Sequence, residues 1–270
     1  MAAPSPSEFV FSTESAIWEV NSRWTGMVFG PAAAILQIAH PKVAHGVARH
    51  SNFKSDALGR LTRTLADVNS IAFGTWGEAE ATKKRLFEMH SKVRGTSDGG
   101  VSYHALDQDL LVWVLATLVM ASVQGYELVY GAMSEKQKEL FLQDMVTMGQ
   151  FFGISDSVDG RTSNWAAFEN YYNGMIDGDL LGSDPICGEL ARYLVKPQDS
   201  LTVRLLGHAV DFVPIETLPA QLLGTLTLKS TRASRAKIRA FETTFPAIFK
   251  SLPEKRKYYD RSRARCFEGK

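Results

Sequence analysis

The sequence predicts an all-α protein, a single large helical domain with a globin-like helix content. Apolar residues recur at spacings of three and four in most segments, and no stretch shows sustained alternation with a period of two. We find no internal repeat and no linker between domains. We therefore expect residues 1–12 to be a flexible N-terminus and residues 13–270 to form one helical domain, a length that one large core can serve.

The composition is that of a globular protein whose net charge creates no strong electrostatic field. The 270 residues are 45% hydrophobic and 22% charged, and 30 basic against 29 acidic side chains leave a net charge of +1. This balance argues against nucleic acid as a partner. The segment from Lys229 to Arg265 is locally basic, which indicates either a solvated face or a weak anionic contact.

Two features bear on the compartment and on membranes. The longest apolar run, Leu110 to Val123, has 14 residues, fewer than the ~20 that a bilayer-spanning helix needs, so we expect a buried core helix and no transmembrane segment. Cys187 and Cys266 match no metal or redox spacing, and the N-terminus lacks the pattern of a signal peptide. These observations predict a cytoplasmic protein.

The N-terminal third should contain several helices separated by glycine and proline. We expect a first helix from Ser12 or Thr13 through Trp24. An apolar helix should follow Pro31 and end near Ala39. Pro41 should begin the next helix, because its fixed φ and missing N–H suit the first turn.

Two helices should follow in the next segment. The first is predicted by the spacing of Leu58, Leu61, Leu65, Val68 and Ala72. Its neighbouring face carries Arg60, Thr64 and Asp67. The second should end at Gly95 as a C-cap and turn His90 inward, on one face with Leu86, Phe87 and Val93.

The remaining chain also shows a helical pattern. A long buried helix is expected from Asp107 to Gly131, and Ser134 with Gln137 forms a capping-box pattern for a helix through Phe152. An aromatic-rich helix should run from Asn164 to Asp177. Shorter helices are predicted at 185–193, 201–212, 219–226 and 234–245, the last ended by Pro246.

Four of the six histidines fall between Ala39 and His90. His40, His45 and His50 are five residues apart, a spacing that rotates helical side chains by roughly 140°. The three therefore cannot share one helix face, which argues against a three-histidine zinc site. For His40 and His50, capping of a helix end is at least as good an interpretation as a role in a site.

His90 has two interpretations from the residues alone. A lone histidine on an apolar helix face is most often a core residue. It can also be the axial ligand of a haem, with Arg60 pairing with a propionate. The alternative for Arg60 is a surface ion pair with Asp56 or Asp67.

A series of motifs in one order carries a resemblance to a known family. The motifs lie between about Gly30 and Glu127 and read LQIAHPKVAHGVARHSNF, LGRLTRT, FGT, MHSKVRG and LLVWVLATLV. Together they resemble the ER-bound oxygenase and latex clearing protein family, whose members are all-α proteins. The resemblance implies a haem b protein that activates O₂.

The resemblance also implies site residues. His90 matches the histidine that holds the haem iron, and Arg60 with Thr64 matches an arginine–threonine pair near the haem. Rubber-cleaving members have a lysine ligand just before the threonine, where this chain has Arg63. An arginine stays protonated and is a poor iron ligand. The sixth position is therefore expected to be open, water-filled or taken by a histidine such as His45.

These observations lead to a functional hypothesis with two rivals. The hypothesis is a haem b oxygenase that oxidises, or cleaves at a double bond, a small apolar isoprenoid-like substrate, with His45, Arg63 and Thr64 as catalytic candidates and His45 as a base. The aromatic residues from Trp165 to Tyr172 suit either a substrate wall or the core. The rivals are a non-catalytic haem-binding or sensing protein and a helical scaffold without a cofactor.

Overall fold

The computed structural model describes residues 4–51, 57–97, 99–155, 160–195 and 212–267, with the backbone alone for 57–62. These parts contain thirteen α-helices, two short 3₁₀ helices and one two-stranded sheet. The prediction of an all-α fold is confirmed, and the small sheet is a local departure from it.

Five helices form the first third of the molecule: α1 (Ala16–Asn21), α2 (Gly30–Ala39), α3 (Pro41–His50), α4 (Ala57–Ala72) and α5 (Trp76–His90). Pro41 occupies the first turn of α3, as predicted. The prediction of one helix through Trp24 is wrong. Arg23 is extended and pairs with Tyr258 in a β-bridge, so α1 ends before it and a 3₁₀ helix, Trp24–Val28, follows.

A hairpin follows α5 where the sequence predicted more helix. Strands β1 (Arg94–Thr96) and β2 (Ser102–His104) pair antiparallel, with Gly95 opposite Tyr103. The prediction of Gly95 as a helix C-cap is therefore wrong. A Cβ atom on Gly95 would lie 2.7 Å from the Tyr103 hydroxyl oxygen, so the glycine lets the Tyr103 side chain lie across the strand.

The rest of the chain adds eight helices: α6 (Gln108–Tyr130), α7 (Glu135–Phe151), α8 (Trp165–Asp177), α9 (Pro185–Leu194), α10 (Val213–Glu216), α11 (Ala220–Thr225), α12 (Arg232–Ser251) and α13 (Asp260–Phe267). A second 3₁₀ helix spans Glu254–Arg256. The capping box of α7 is confirmed, because the Gln137 N–H donates to Ser134 Oγ at 3.3 Å. Of the helix predicted at 201–212, residues 201–211 lie outside the described residues.

Pro246 does not end α12 as predicted but lies inside it. The apolar residues on either side of it, Phe245 and Phe249, both pack edge-on against Trp24, with ring centroids 5.9 and 4.7 Å apart. Because this packing anchors the helix on both sides of the proline, it offsets the loss of one backbone hydrogen bond.

The long helix α6 forms the centre of the core. It packs against α2, α7, α12 and the first 3₁₀ helix, and its Trp113 is fully buried with Nε1 donating to the Leu36 carbonyl at 3.1 Å. Among the described helices, α6 is the one long and apolar enough to cross a membrane by length and composition. In this fold it is a core helix packed on several sides.

The segment expected to be flexible makes contacts with the start of α5. The Trp76 N–H donates to the Glu8 carbonyl at 2.8 Å, Phe9 forms a β-bridge with Thr75, and Phe11 is buried. This part of the N-terminus therefore covers the N-terminal end of α5.

Candidate active site

The position of the candidate site depends on how α4 and α5 are aligned with each other. Ser70 Oγ and Thr82 Oγ1 are 2.8 Å apart, and Asp67 forms an ion pair with Arg85 one turn along. In both contacts the two residue numbers sum to the same value, which is the signature of an antiparallel pair in constant register. Extending that register by one to two turns places Arg63 and Thr64 within one turn of His90 along the pair.

His90 is the last residue of α5, and its side chain is half-buried with Nδ1 shielded from solvent. It follows Leu86, which is buried, by four residues and so shares its face. Phe87, expected on that face, is instead 58% exposed. A rotation of about 100° from Leu86 takes it to the solvent side.

The arginine–threonine motif of α4, which holds Arg60, Arg63 and Thr64, lies at the same end of the helix pair as His90. Arg63 and Thr64 both have exposed side chains, whereas the side chain of Arg60 lies outside the described side chains. The proposed surface partner of Arg60, Asp67, pairs with Arg85, and Asp56 lies outside the described residues.

The three histidines of α3 occupy different environments. His40 is the N-cap, its Nδ1 accepting from the Lys42 N–H at 3.2 Å, so the capping interpretation holds for this residue. Burial, with the charge of Lys42 a smaller cause, lowers the pKa of His40 to about 4. His50 instead lies with Nε2 3.1 Å from the Tyr103 hydroxyl, and the α3 C-cap is Ser51.

His45 faces a carboxylate from a distant segment. Its Nε2 is 2.9 Å from Asp184 Oδ2, and its ring lies nearly parallel to that of Tyr103 with centroids 6.4 Å apart. Asp184 is the N-cap of α9, where Oδ1 accepts from the Ile186 N–H at 3.0 Å. This bond and the one from His45 hold the pKa of Asp184 below its usual range.

Sequence reasoning did not find Asp184 or Tyr103. Asp184 lies 139 residues from His45, and its local signal, an aspartate before Pro185, indicates a helix N-cap and no more. Tyr103 lies in a hairpin that the sequence pattern did not reveal.

A cleft of about 630 Å³ opens beside Asp184, between the starts of α3 and α6, the hairpin turn and the α8–α9 loop. Its lining is partly apolar and partly charged: His40, Pro41, Lys42, Val101, Asp109, Leu110, Arg161, Tyr171, Met175, Leu180, Ser183 and Asp184. This volume lies in the range of small-molecule sites.

The aromatic residues of α8 divide between core and cleft. Trp165, Phe168 and Tyr172 are buried in the main core, whereas Tyr171 lines the cleft. A smaller cleft of about 260 Å³ lies between the exposed side of α5 and the end of α7. Among the described residues that line these two clefts, His90 does not occur.

The described residues contain no group of three or more histidine, cysteine, aspartate or glutamate side chains arranged to hold a metal ion. A haem site differs from such a cluster, because the macrocycle fills four positions on the iron and the protein supplies one or two ligands. One suitably placed imidazole is therefore sufficient.

A model of the family described as ER-bound oxygenase mpaB/B'/Rubber oxygenase, catalytic domain, matches residues 18–247. The chain belongs to this family. The matched range runs from α1 into α12 and contains His45, Arg60, His90 and Asp184. The family model describes a catalytic domain of oxygenases.

Two curated mycobacterial relatives share part of the sequence. They are the uncharacterized protein Mb2261 of Mycobacterium bovis and the uncharacterized protein Rv2237 of Mycobacterium tuberculosis, each 26% identical over 156 residues. The aligned segment covers 56% of this chain and 60% of each relative. No solved structure matches the chain.

Proposed function

We propose that this protein is a haem b-dependent oxygenase that uses O₂ to oxidise, or to cleave at a carbon–carbon double bond, a small apolar substrate of isoprenoid type. The observation that carries the proposal is the register of α4 and α5, which brings His90 to the level of Arg63 and Thr64 in a chain of an oxygenase family. A histidine and a cationic, hydroxyl-bearing motif at one end of a helix pair suit a haem.

The residues present fit a haem. His90 is half-buried and its Nδ1 is shielded from solvent, which suits an imidazole that would hold the iron. Arg63 is exposed, which suits a cation at the solvent edge where propionates lie. When bound, the haem would supply O₂ binding and redox chemistry.

The chain's own residues have separate roles in this proposal. His90 would hold the iron, and Arg60 and Thr64 would bind the propionates through charge-assisted and hydroxyl hydrogen bonds. Arg63 adds positive charge and does not ligate iron, because it stays protonated. His45 acts in proton transfer as a neutral imidazole.

The cleft of about 630 Å³ suits an apolar substrate of modest size. Leu110, Tyr171, Met175 and Leu180 provide its apolar surface, and the carboxylate that contacts His45 lies in its wall. A substrate in this cleft would therefore lie next to the His45–Asp184 pair.

An absorption spectrum tests the haem assignment. The protein, expressed with a haem supply, should show a strong Soret band that His90→Ala removes, because the iron loses its protein ligand. His104→Ala is the matched control, since His104 lies on β2 outside the α4–α5 pair and its loss should leave the band unchanged.

Two results would contradict the proposal. A parent protein without a Soret band after haem addition would exclude haem dependence, and a band that persists in His90→Ala would move the ligand elsewhere. Oxygen uptake with squalene, an isoprenoid alkene, then tests turnover. Haem binding without oxygen uptake would indicate a haem-binding protein that does not oxidise squalene.

A further inference from the structure

His45 and Asp184 join α3 to the start of α9 through a hydrogen bond of 2.9 Å between Nε2 and Oδ2. The two side chains are 14% and 27% exposed, so the contact is partly shielded from water. A charge-assisted bond in such a position is stronger than a neutral one. The pair is thus a defined contact between elements that are far apart in sequence.

The Asp184 carboxylate is held in place from two sides. Its other oxygen, Oδ1, accepts from the Ile186 N–H at 3.0 Å and caps α9. The preceding loop is tied to the end of α2, because the Gly182 N–H donates to the Ala39 carbonyl at 2.7 Å. Gly182 has φ +76°, a conformation that favours glycine. The carboxylate therefore presents one oxygen to His45 from a fixed loop.

This geometry sets the tautomer of His45. An ionised carboxylate can only accept hydrogen bonds, and the bonds from Ile186 and His45 hold the pKa of Asp184 below its usual range. Nε2 of His45 must then carry the proton that it donates. In the neutral ring the lone pair is consequently on Nδ1.

Tyr103 limits the orientation of the same ring. Its side chain is buried and lies nearly parallel to the His45 ring, and its hydroxyl is 3.1 Å from Nε2 of His50. The His45 imidazole is thus bound at one edge by Asp184, and the parallel Tyr103 ring lies beside it with centroids 6.4 Å apart. The Asp184 bond fixes the edge of the ring, and the neighbouring Tyr103 ring restricts its tilt.

We propose that Asp184 is the positioning residue that keeps His45 in the Nε2–H tautomer, so that Nδ1 is the nitrogen that accepts a proton during turnover. The role in turnover rests on the proposed function, whereas the tautomer does not. When Nδ1 takes a proton from the bound substrate, the ring becomes an imidazolium while Asp184 stays ionised and balances the charge, and the imidazolium then releases the proton to solvent. A carboxylate that binds one ring nitrogen also orients the catalytic histidine of the Ser-His-Asp triad.

Nitrogen-15 NMR of the histidine side chains in the full-length protein tests the proposal directly. The parent should show His45 protonated at Nε2, with the signal assigned by its loss in His45→Gln. In Asp184→Asn the amide oxygen can still cap α9, while the amide group donates to Nε2 and drives the proton to Nδ1. Asp179→Asn, the same change at an exposed position of the same loop, should leave the parent signals unchanged.

The effect on turnover is measured as the rate of oxygen uptake by the haem-loaded protein with squalene. Asp184→Asn should lower the rate about 100-fold, in the range of a lost general base, and Asp179→Asn should not. A parent His45 protonated at Nδ1, or one that keeps its tautomer in Asp184→Asn, overturns the proposal. Because the spectra need neither haem nor substrate, failure of the oxygenase proposal is seen separately, in the absorption spectrum.

Discussion

Ser70 and Thr82 share a hydrogen bond of 2.8 Å between α4 and α5. Asp67 of α4 and Arg85 of α5 also form an ion pair, one turn further along the same two helices. The contact sets the register of the pair, and the register decides whether His90 lies at the same level as the arginine–threonine motif.

A cross-link tests this register. Ser70→Cys combined with Thr82→Cys should form a disulfide on oxidation, because the native side-chain oxygens are 2.8 Å apart and a disulfide needs closely approaching Cβ atoms. The background should carry Cys266→Ser, since Cys266 is an exposed thiol. Mass spectrometry reports the bond. Ser70→Cys with Arg85→Cys, one turn out of register, should stay reduced, and an equal yield in both would refute the register.

Removal of Arg60 should weaken haem retention without abolishing it. A charge-assisted hydrogen bond contributes about 1.5–3 kcal/mol, so Arg60→Ala should release haem at least about tenfold faster while His90 still holds the iron. Transfer of haem to apomyoglobin measures the rate. Arg85→Ala is the matched control, because Arg85 pairs with Asp67 and lies more than one helical turn before His90 on α5. Equal rates in the two variants would argue against the propionate role.

Gly125 lies where α6 packs closely against the first 3₁₀ helix. A Cβ atom there would lie 2.6 Å from the Thr25 carbonyl oxygen and 2.7 Å from Gly26 Cα. Gly125→Ala should therefore lower the free energy of unfolding by about 1–3 kcal/mol through overpacking. Gly174→Ala has nothing within 4 Å of the new methyl group and should raise it by about 0.5–1 kcal/mol, because alanine is the better helix former. Denaturant titration distinguishes the two, and equal effects would contradict the packing of α6.

His40 should make stability depend on pH. Burial lowers its pKa from 6.5 to about 4 in the folded state, so the unfolded chain binds more protons between those values and stability falls as the pH drops from about 7 to about 5. The expected loss is about 2 kcal/mol. His40→Asn keeps a capping side chain but removes the titration, so its stability should fall by correspondingly less. Identical pH profiles of parent and variant would show that His40 does not titrate in this way.

Local signals in the sequence were sufficient for most helices. Pro41 begins α3, and Ser134 and Asn164 cap α7 and α8, because proline geometry and short polar side chains act within one turn. The same reasoning failed at Gly95 and Pro246. The side chain of Tyr103 on the paired strand occupies the space that Gly95 leaves. Aromatic packing on Trp24 lets α12 continue past Pro246.

The residues of the candidate site also differ in whether the sequence reveals them. The motifs around Arg60, Thr64 and His90 are readable in the sequence, because they lie on two consecutive helices. Asp184 as a partner of His45 is not, since 139 residues separate them.

The sequence by itself determined the helical class, most helix ends and the family to which the chain belongs. Only the tertiary structure decided that Tyr171 lines a cleft while Trp165 and Phe168 fill the core, and that one oxygen of Asp184 contacts His45. The reason is physical: helix periodicity and capping act over a few residues, whereas the neighbours of a side chain depend on how distant helices pack.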